Sequence, residues 1–141
     1  MKRTFFIAMA CFFCATLFAQ ESTAFKGKIV NDEYQVWIEM DFDKQAVIVP
    51  EQEIFGEVAG YLGAKRDPRK WIVTSVEMKN ATTARLEIVN DYGSEDLTAS
   101  LTLNRDGTFT LKQLDGSTIK IAVNKKWVKL PKTLVFKRQD D

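Results

Sequence analysis

Apolar and polar residues alternate along most of the chain after residue 24. The clearest case is YQVWIEMDF, residues 34–42, in which every second side chain is apolar and most of the others are polar. Successive side chains of a β-strand project to opposite faces, so this pattern predicts a strand with one apolar face. That face consists of Tyr34, Val36, Ile38, Met40 and Phe42.

The same alternation predicts nine or ten strands in all. Asp-Gly pairs within NRDGT and LDGS, residues 104–108 and 114–117, predict hairpin turns. RDPRK is interpreted as a proline-containing loop, and the acidic stretch NDYGSED, which lacks the EF-hand spacing, as a longer connection. The predicted strands lie near residues 25–30, 34–42, 45–49, 57–64, 71–79, 83–89, 97–103, 108–113, 118–123 and 133–138.

Residues 51–63 are ambiguous. Ile54, Val58 and Leu62 recur every four residues, as on one face of a helix. Three glycines in the same stretch disfavour a helix and are typical of a sharply bent strand. The pattern therefore favours a bent or bulged strand and leaves a short helix as the alternative.

Many short strands joined by short turns predict an all-β fold, a single antiparallel meander closed or nearly closed into a small barrel of 8–10 strands. Closure removes the exposed strand edges of an open sheet. A two-sheet β-sandwich is the alternative. The interior of such a barrel is either filled by side chains or encloses one small ligand.

The first residues have the order of a secretory signal peptide. Lys2 and Arg3 precede an apolar run that is too short to span a membrane, and Ala19 supplies a small residue for cleavage. We therefore expect residues 1–19 to be the signal and residues 20–141 a single all-β domain, either periplasmic or secreted. Lipid attachment at Cys11 is the less favoured alternative, because the surrounding residues fit a lipoprotein signal poorly.

Composition excludes several chemistries. The chain has no histidine, and its two cysteines, Cys11 and Cys14, both lie in the expected signal. The mature chain then has no disulfide, no zinc site of the His/Cys type and no Ser-His-Asp triad. No nucleotide-binding or nucleophile motif occurs either, so we expect neither an enzyme nor a metal or other cofactor. The formal net charge of +1 gives no reason to expect a nucleic-acid partner.

Charge is unevenly distributed along the chain. Residues 31–57 contain eight acidic residues against Lys44 alone, whereas residues 117–138 contain seven basic residues and no acidic one. One interpretation is that the basic stretch binds an anionic partner. The favoured one is that the first and last strands of a closed barrel pair, so that opposite charges meet across the seam.

Three tryptophans have polar neighbours. Trp37 shares the polar parity of its strand, and Trp71 opens WIVTSVEM, in which Ile72 and Val76 are expected to point inward. Exposed tryptophans can stack on a sugar or anchor a partner, although they can also cover a barrel end. The candidate interaction surface comprises Trp37, Trp71, Trp127, Lys125, Lys126 and Lys129.

In size and meander pattern the chain resembles the calycin group, which includes the lipocalins and their bacterial relatives. In place of the lipocalin Gly-x-Trp motif it has Gly27, Lys28 and Ile29, and Arg138 is a candidate for the family's last-strand arginine. The resemblance implies carriage of a small apolar ligand inside the barrel. The candidate lining residues are Tyr34, Val36, Ile38, Met40, Phe42, Leu86, Leu101 and Phe109.

Two functions follow from these patterns. The leading expectation is an exported, non-enzymatic protein that carries a small apolar ligand in the barrel interior. The alternative is a protein-interaction module that binds another envelope or extracellular protein through exposed aromatic residues and the basic C-terminal stretch. The bulk of the inward side chains suits a solid core as well as a lined cavity.

Overall fold

The structure is a computed structural model that describes residues 24–139. This part of the chain is almost entirely β-structure, with a 3₁₀ turn at Glu53–Phe55. The predicted signal peptide, with Cys11 and Cys14, lies outside the described residues. The strands are β1 Lys26–Asn31, β2 Val36–Asp41, β3 Val47–Ile48, β4 Glu57–Val58, β5 Gly60–Ala64, β6 Asp67–Asn80, β7 Thr83–Asn90, β8 Asp96–Leu103, β9 Phe109–Gly116, β10 Lys120–Val123, β11 Lys126–Lys129 and β12 Thr133–Arg138.

Eight strands form a closed antiparallel barrel in the order β1-β12-β9-β8-β7-β6-β5-β2. The predicted all-β barrel is confirmed, and the sandwich alternative is not formed. Apart from β1 and β12, which pair to close the barrel, neighbouring barrel strands follow one another along the chain except at two places. The hairpin β3–β4 is inserted between β2 and β5, and the hairpin β10–β11 between β9 and β12.

The two insertions lie at opposite ends of the barrel. We call the upper end the one at which β1, β5, β7 and β9 finish, and the lower end the one at which they begin. The hairpin β10–β11 connects strands at the upper end, where the β7–β8 loop also lies. The segment containing β3 and β4 leaves from the lower end.

Three local expectations were wrong. β6 begins at Asp67, so most of RDPRK is strand rather than loop. The Asp115–Gly116 pair does not make a hairpin, because β9 continues to Gly116, which lies opposite Leu97 of β8 with φ at 103°. β11 was not predicted at all. Its alternation is short and lysine-rich, so hydrophobic periodicity does not reveal it.

Between residues 51 and 63, the expectation of bent strand is closer to the structure than that of a helix. The chain makes only the single 3₁₀ turn before β4 and β5. Gly60 lies where β5 meets β2, and a Cβ there would be 2.5 Å from the backbone oxygen of Glu39. Only glycine permits that approach without a shift of the backbone.

The barrel interior is filled by side chains from all eight of its strands, which form one apolar cluster. At the lower end Phe25 stacks on Phe42 with 5.5 Å between ring centres and meets Phe109 edge-on at 5.6 Å. Each fully buried phenylalanine contributes about 1.5–3 kcal/mol to the free energy of unfolding. The Arg138 guanidinium lies over the Phe109 ring and donates to the backbone oxygens of Ala24 and Lys26, which closes this end.

The hairpin β10–β11 covers the upper end. Ile119, Ile121 and Leu130 are buried and belong to the same cluster as the barrel interior. Gln113 of β9 anchors both ends of the hairpin segment, because its side chain accepts from the Ile119 N–H at 2.7 Å and donates to the Pro131 oxygen at 3.1 Å. The hairpin is therefore part of the folded core.

A second apolar cluster lies on the outside of the barrel. Tyr61 and Ile72 point outward from β5 and β6, and Val49 from the β3–β4 segment packs onto them. Trp37 of β2 borders this cluster. The β3–β4 segment thus shields outward apolar residues that would otherwise face water.

The orientation expected for β6 was wrong in its first half. Trp71 and Val73 point into the barrel, whereas Ile72 points outward. The register shifts between Val73 and Ser75, so that Val76 again packs against the interior. Such a bulge inserts one residue and reverses the parity, and this is why a single alternation could not describe the whole strand.

Candidate functional site

The predicted ligand-lining residues come together inside the barrel, where they pack against one another. Val36, Ile38, Met40 and Phe42 of this set are at most 6% exposed. Leu86, Leu101 and Phe109 are buried in the same cluster, and Tyr34 packs at its edge. An eight-stranded barrel is just wide enough for side chains to fill it, and here they do.

The three tryptophans occupy different environments. Trp71 is only 4% exposed, and its indole N–H donates to the Lys120 oxygen at 3.2 Å, so the prediction that it forms part of the outer surface was wrong. Trp37 is partly buried above Gly63 with the Lys28 ammonium 4.8 Å from its ring centre. Trp127 is 55% exposed, which makes it the accessible tryptophan.

Residues 120–129 form what we call the basic hairpin. Its two-residue turn consists of Asn124 and Lys125, with φ values of 52° and 68°, as a type I′ turn requires. Ile121 and Val128 pair with each other across the hairpin, and both face the barrel. Because side chains alternate along a strand, the residues of the two adjacent pairs face away from the barrel. This outer face carries Lys120, Ala122, Trp127 and Lys129.

Two cations flank the Trp127 indole. The Arg69 guanidinium lies 4.5 Å from the ring centre and the Lys120 ammonium 5.2 Å from it. Each such contact at an exposed site is worth about 0.5–1 kcal/mol. Arg69 comes from β6 and Lys120 from β10, so the exposed indole is held at the junction of the barrel and the hairpin.

The basic stretch at the C-terminal end serves two purposes in the structure. β1 and β12 are neighbours, as expected, and Lys137 forms an ion pair with Asp32 across this seam at 2.9 Å. Lys125, Lys126 and Lys129 lie away from the seam on the basic hairpin. None of these three has a carboxylate partner within 4.0 Å among residues 24–139.

A cleft of about 240 Å³ opens beside Trp127. We call it the rim cleft. It lies between the start of β6, the basic hairpin and the β7–β8 loop, residues 91–95. Its walls include Arg69, Asp91, Tyr92, Glu95, Lys120 and Trp127.

Asp67 organises one wall of the rim cleft. Its carboxylate is 4% exposed and accepts hydrogen bonds from the Ala122 N–H at 2.8 Å, the Arg69 N–H at 3.0 Å and the Arg69 Nε at 3.1 Å. Burial acts to raise the pKa of Asp67, but these hydrogen bonds and the charge of Arg69 outweigh it and lower the pKa below the usual 3.8. The ionised form is therefore favoured in the folded protein.

The opposite wall is a loop held by its own side chains. The Asn90 side-chain oxygen accepts from the Ser94 N–H at 2.9 Å and from the Glu95 N–H at 3.2 Å. Asp91 Oδ2 accepts from the Lys70 N–H at 3.0 Å and weakly from Gln52 at 3.4 Å. The Glu95 carboxylate pairs with Lys120 at 3.3 Å, which ties the loop to the basic hairpin.

Sequence reasoning missed most of the rim cleft. Trp127 was a candidate, but Arg69, Asp91 and Tyr92 were not, since each lay in a segment interpreted as loop or turn. Their grouping depends on the start of β6 and the β7–β8 loop both meeting the basic hairpin; Trp71 of β6, for example, is hydrogen-bonded to Lys120, 49 residues further along the chain. Tyr92, an aromatic residue within the otherwise polar stretch NDYGSED, was a signal available from the sequence.

Comparison with protein-family models, with curated proteins and with solved structures found no match to this chain. Within residues 24–139 the structure contains no helix with the length and hydropathy that a bilayer crossing requires. A functional assignment therefore rests on the geometry of the basic hairpin and the rim cleft.

Proposed function

We propose that this protein is an exported, non-enzymatic binding protein that recognises an acidic partner protein through the basic hairpin. The observation that carries the proposal is the surface around Trp127. There an exposed indole lies on the same hairpin as Lys125, Lys126 and Lys129, none of which has a carboxylate within 4.0 Å among residues 24–139. A tryptophan anchor surrounded by cations suits a partner whose own surface is acidic.

The packed interior supports a site on the outside. Carriage of an apolar ligand needs volume between the inward side chains, but these form one cluster that the basic hairpin covers from above. A ligand would have to displace Ile121 and Leu130 from that cluster to enter. The lipocalin-like carrier therefore has less support than the interaction module.

The basic hairpin is suited to recognition because its backbone is fixed. Gln113 and Asp67 hold it to β9 and β6 by hydrogen bonds, so little conformational entropy is lost when a partner binds. The lysines at the turn mainly accelerate association and make it depend on salt, whereas Trp127 slows dissociation.

The test measures binding of a fluorescein-labelled, glutamate-rich peptide by fluorescence anisotropy at several salt concentrations. We expect binding that weakens with salt, and a dissociation constant that rises roughly tenfold in the double variant K125E/K126E. The matched control is K44E/R105E, which makes the same change in net charge at the lower end of the barrel. Equal weakening by both double variants would show that net charge, and not the hairpin, is responsible.

A second experiment distinguishes the carrier. Native mass spectrometry of the protein recovered from its own host should show the bare chain or a complex with a second protein. A reproducible adduct of small-molecule mass that is lost on denaturation, and reduced by substitution of Ile38 or Leu101 but not of Trp127, would overturn the proposal in favour of carriage.

A further inference from the structure

The rim cleft combines features that the basic hairpin alone does not have. Its volume of about 240 Å³ is below the roughly 300 Å³ at which pockets for drug-sized ligands begin. A ligand of one ring is therefore the size it accommodates. The cleft is separate from the lysines at the hairpin turn, Lys125 and Lys126, and shares only Trp127 and Lys120 with the hairpin.

The charges that line the rim cleft balance. Three carboxylates face three cations, and two of the pairs are in direct contact, Arg69 with Asp67 at 3.1 Å and Lys120 with Glu95 at 3.3 Å. Asp91 and Lys70, which lie outside these two pairs, carry the remaining charges, so the lining as a whole has no formal net charge. A lining without net charge and rich in hydrogen-bonding groups suits an uncharged polar ligand.

One acceptor in the cleft wall has no hydrogen bond. Asp91 Oδ1 is buried and unpartnered among residues 24–139, although Oδ2 of the same carboxylate accepts two hydrogen bonds. A buried acceptor of this kind is costly to leave unmatched. A ligand hydroxyl in the cleft would satisfy it by donating a hydrogen bond, once a small rotation of the Asp91 side chain exposes Oδ1 to the cleft.

Aromatic surface borders the same cleft. Tyr92 is 74% exposed and Trp127 55% exposed, and both line it. Large exposed aromatic rings offer a flat apolar face next to polar groups. A sugar ring has the matching character, because its C–H face stacks on an aromatic ring while its hydroxyl groups donate and accept hydrogen bonds at the edge.

From these four features we infer that the rim cleft is a binding site for a neutral saccharide. One sugar residue packs against Trp127 or Tyr92 and donates a hydroxyl hydrogen bond to Asp91 Oδ1. Of the ion-paired groups, Glu95 accepts hydrogen bonds from the remaining hydroxyls and Lys120 donates hydrogen bonds to them. This site shares Trp127 with the surface proposed for the acidic partner, but it does not include Lys125 or Lys126.

The test is an NMR titration of the protein, labelled at its tryptophan indole nitrogens, with the methyl glycosides of glucose, galactose, mannose and N-acetylglucosamine. We expect at least one of them to shift the Trp127 indole signal saturably, while the Trp37 signal stays in place. D91N turns the unpartnered acceptor into a donor and should weaken binding about tenfold, and Y92A should weaken it measurably. D43N, an equivalent change at an exposed lower-end position, should have no effect.

Three results would overturn the inference. The first is that none of the four glycosides shifts the Trp127 signal. The second is that glucuronate shifts this signal at a lower concentration than all four glycosides do. The third is that the shift is the same in D91N and Y92A as in the wild type. K125E/K126E should leave glycoside binding unchanged, and D91N should leave binding of the acidic peptide unchanged. The two proposals can therefore fail separately.

Discussion

Asp67 and Ala122 are joined by a 2.8 Å hydrogen bond from the Ala122 backbone N–H to the Asp67 carboxylate, although they lie on different sheets. The other oxygen of Asp67 accepts from Arg69, whose guanidinium stands over Trp127. One buried carboxylate thus attaches the basic hairpin to the barrel and also positions the exposed indole. It is the polar contact on which both proposed sites depend.

Acid should weaken the fold through Asp67. Its pKa is lowered in the folded protein, so its ionised form stabilises the fold above the usual pKa of 3.8, and this contribution is lost as the pH falls through the lower, folded value. Asp67→Asn should cost about 1–3 kcal/mol at neutral pH, because an amide cannot accept at both positions. Its stability should also fall less steeply at acid pH than that of the wild type. Urea unfolding followed by circular dichroism from neutral pH to below pH 3.8 measures both effects.

The comparison for Asp67 is Asp43→Asn, which removes an exposed carboxylate near the lower end. This variant should follow the wild-type dependence of unfolding on pH. If the stability of Asp67→Asn equalled that of the wild type at neutral pH and fell as steeply at acid pH, Asp67 would not link the basic hairpin to the barrel.

A charge on the inner face of β2 should be severely destabilising. Ile38 is 2% exposed and lies in the barrel core, so Ile38→Asp buries a carboxylate that has no partner. We expect a loss of more than about 4 kcal/mol in the free energy of unfolding, or no folding. Val135→Asp makes a similar change on an outward position that is 50% exposed, and it should cost less than about 1 kcal/mol. Equal unfolding midpoints for the two variants in urea would contradict the parity of β2.

Acrylamide quenching should separate the tryptophans. Trp127 is 55% exposed and Trp71 only 4%, so the readily quenched part of the fluorescence should disappear in Trp127→Phe. Trp71→Phe should retain that part and lose emission at short wavelength, since Trp71 lies in the apolar cluster. A fluorescence signal that remained fully accessible in Trp127→Phe would place another indole at the surface.

Tyr61 should ionise only in strong base. Its burial and its hydrogen bond of 2.8 Å to Glu39 raise the pKa of its phenol to about 12. The contribution of Tyr61 to stability is therefore complete below pH 10.0, the usual pKa, and is lost as the pH rises towards 12. An ultraviolet titration should contain a transition near pH 12 that is absent from Tyr61→Phe. The control variant Tyr92→Phe should retain the transition near pH 12.

The alternation of residues was enough to predict the inner face of the regular strands. Val36, Ile38 and Met40 point inward as expected, because a strand without a bulge has a strict period of two. The same holds for Leu86 and Leu101. Pairing of the first and last strands also followed, because a closed meander has no other arrangement for its ends.

The candidate site was less predictable because its parts have no common local pattern. The bulge after Val73 reversed the orientation of Trp71, and nothing in WIVTSVEM marks where the extra residue lies. The lysines of β11 interrupt its hydrophobic alternation, so the sequence did not predict a strand there. The position of Trp127 on the outer face of a hairpin therefore could not be predicted from the residues next to it. Arg69 and Tyr92 became part of a site only when separate segments met.

Residue order alone therefore specified the all-β fold class and the inner face of the regular strands, since these depend on short-range periodicity, and it favoured a closed or nearly closed barrel over a sandwich. It also excluded histidine chemistry everywhere in the chain. The packed interior, the outer cover of β5 and β6 and the rim cleft come from contacts between residues far apart in sequence. Those contacts depend on registers, bulges and side-chain volumes in three dimensions, and a local pattern does not contain them.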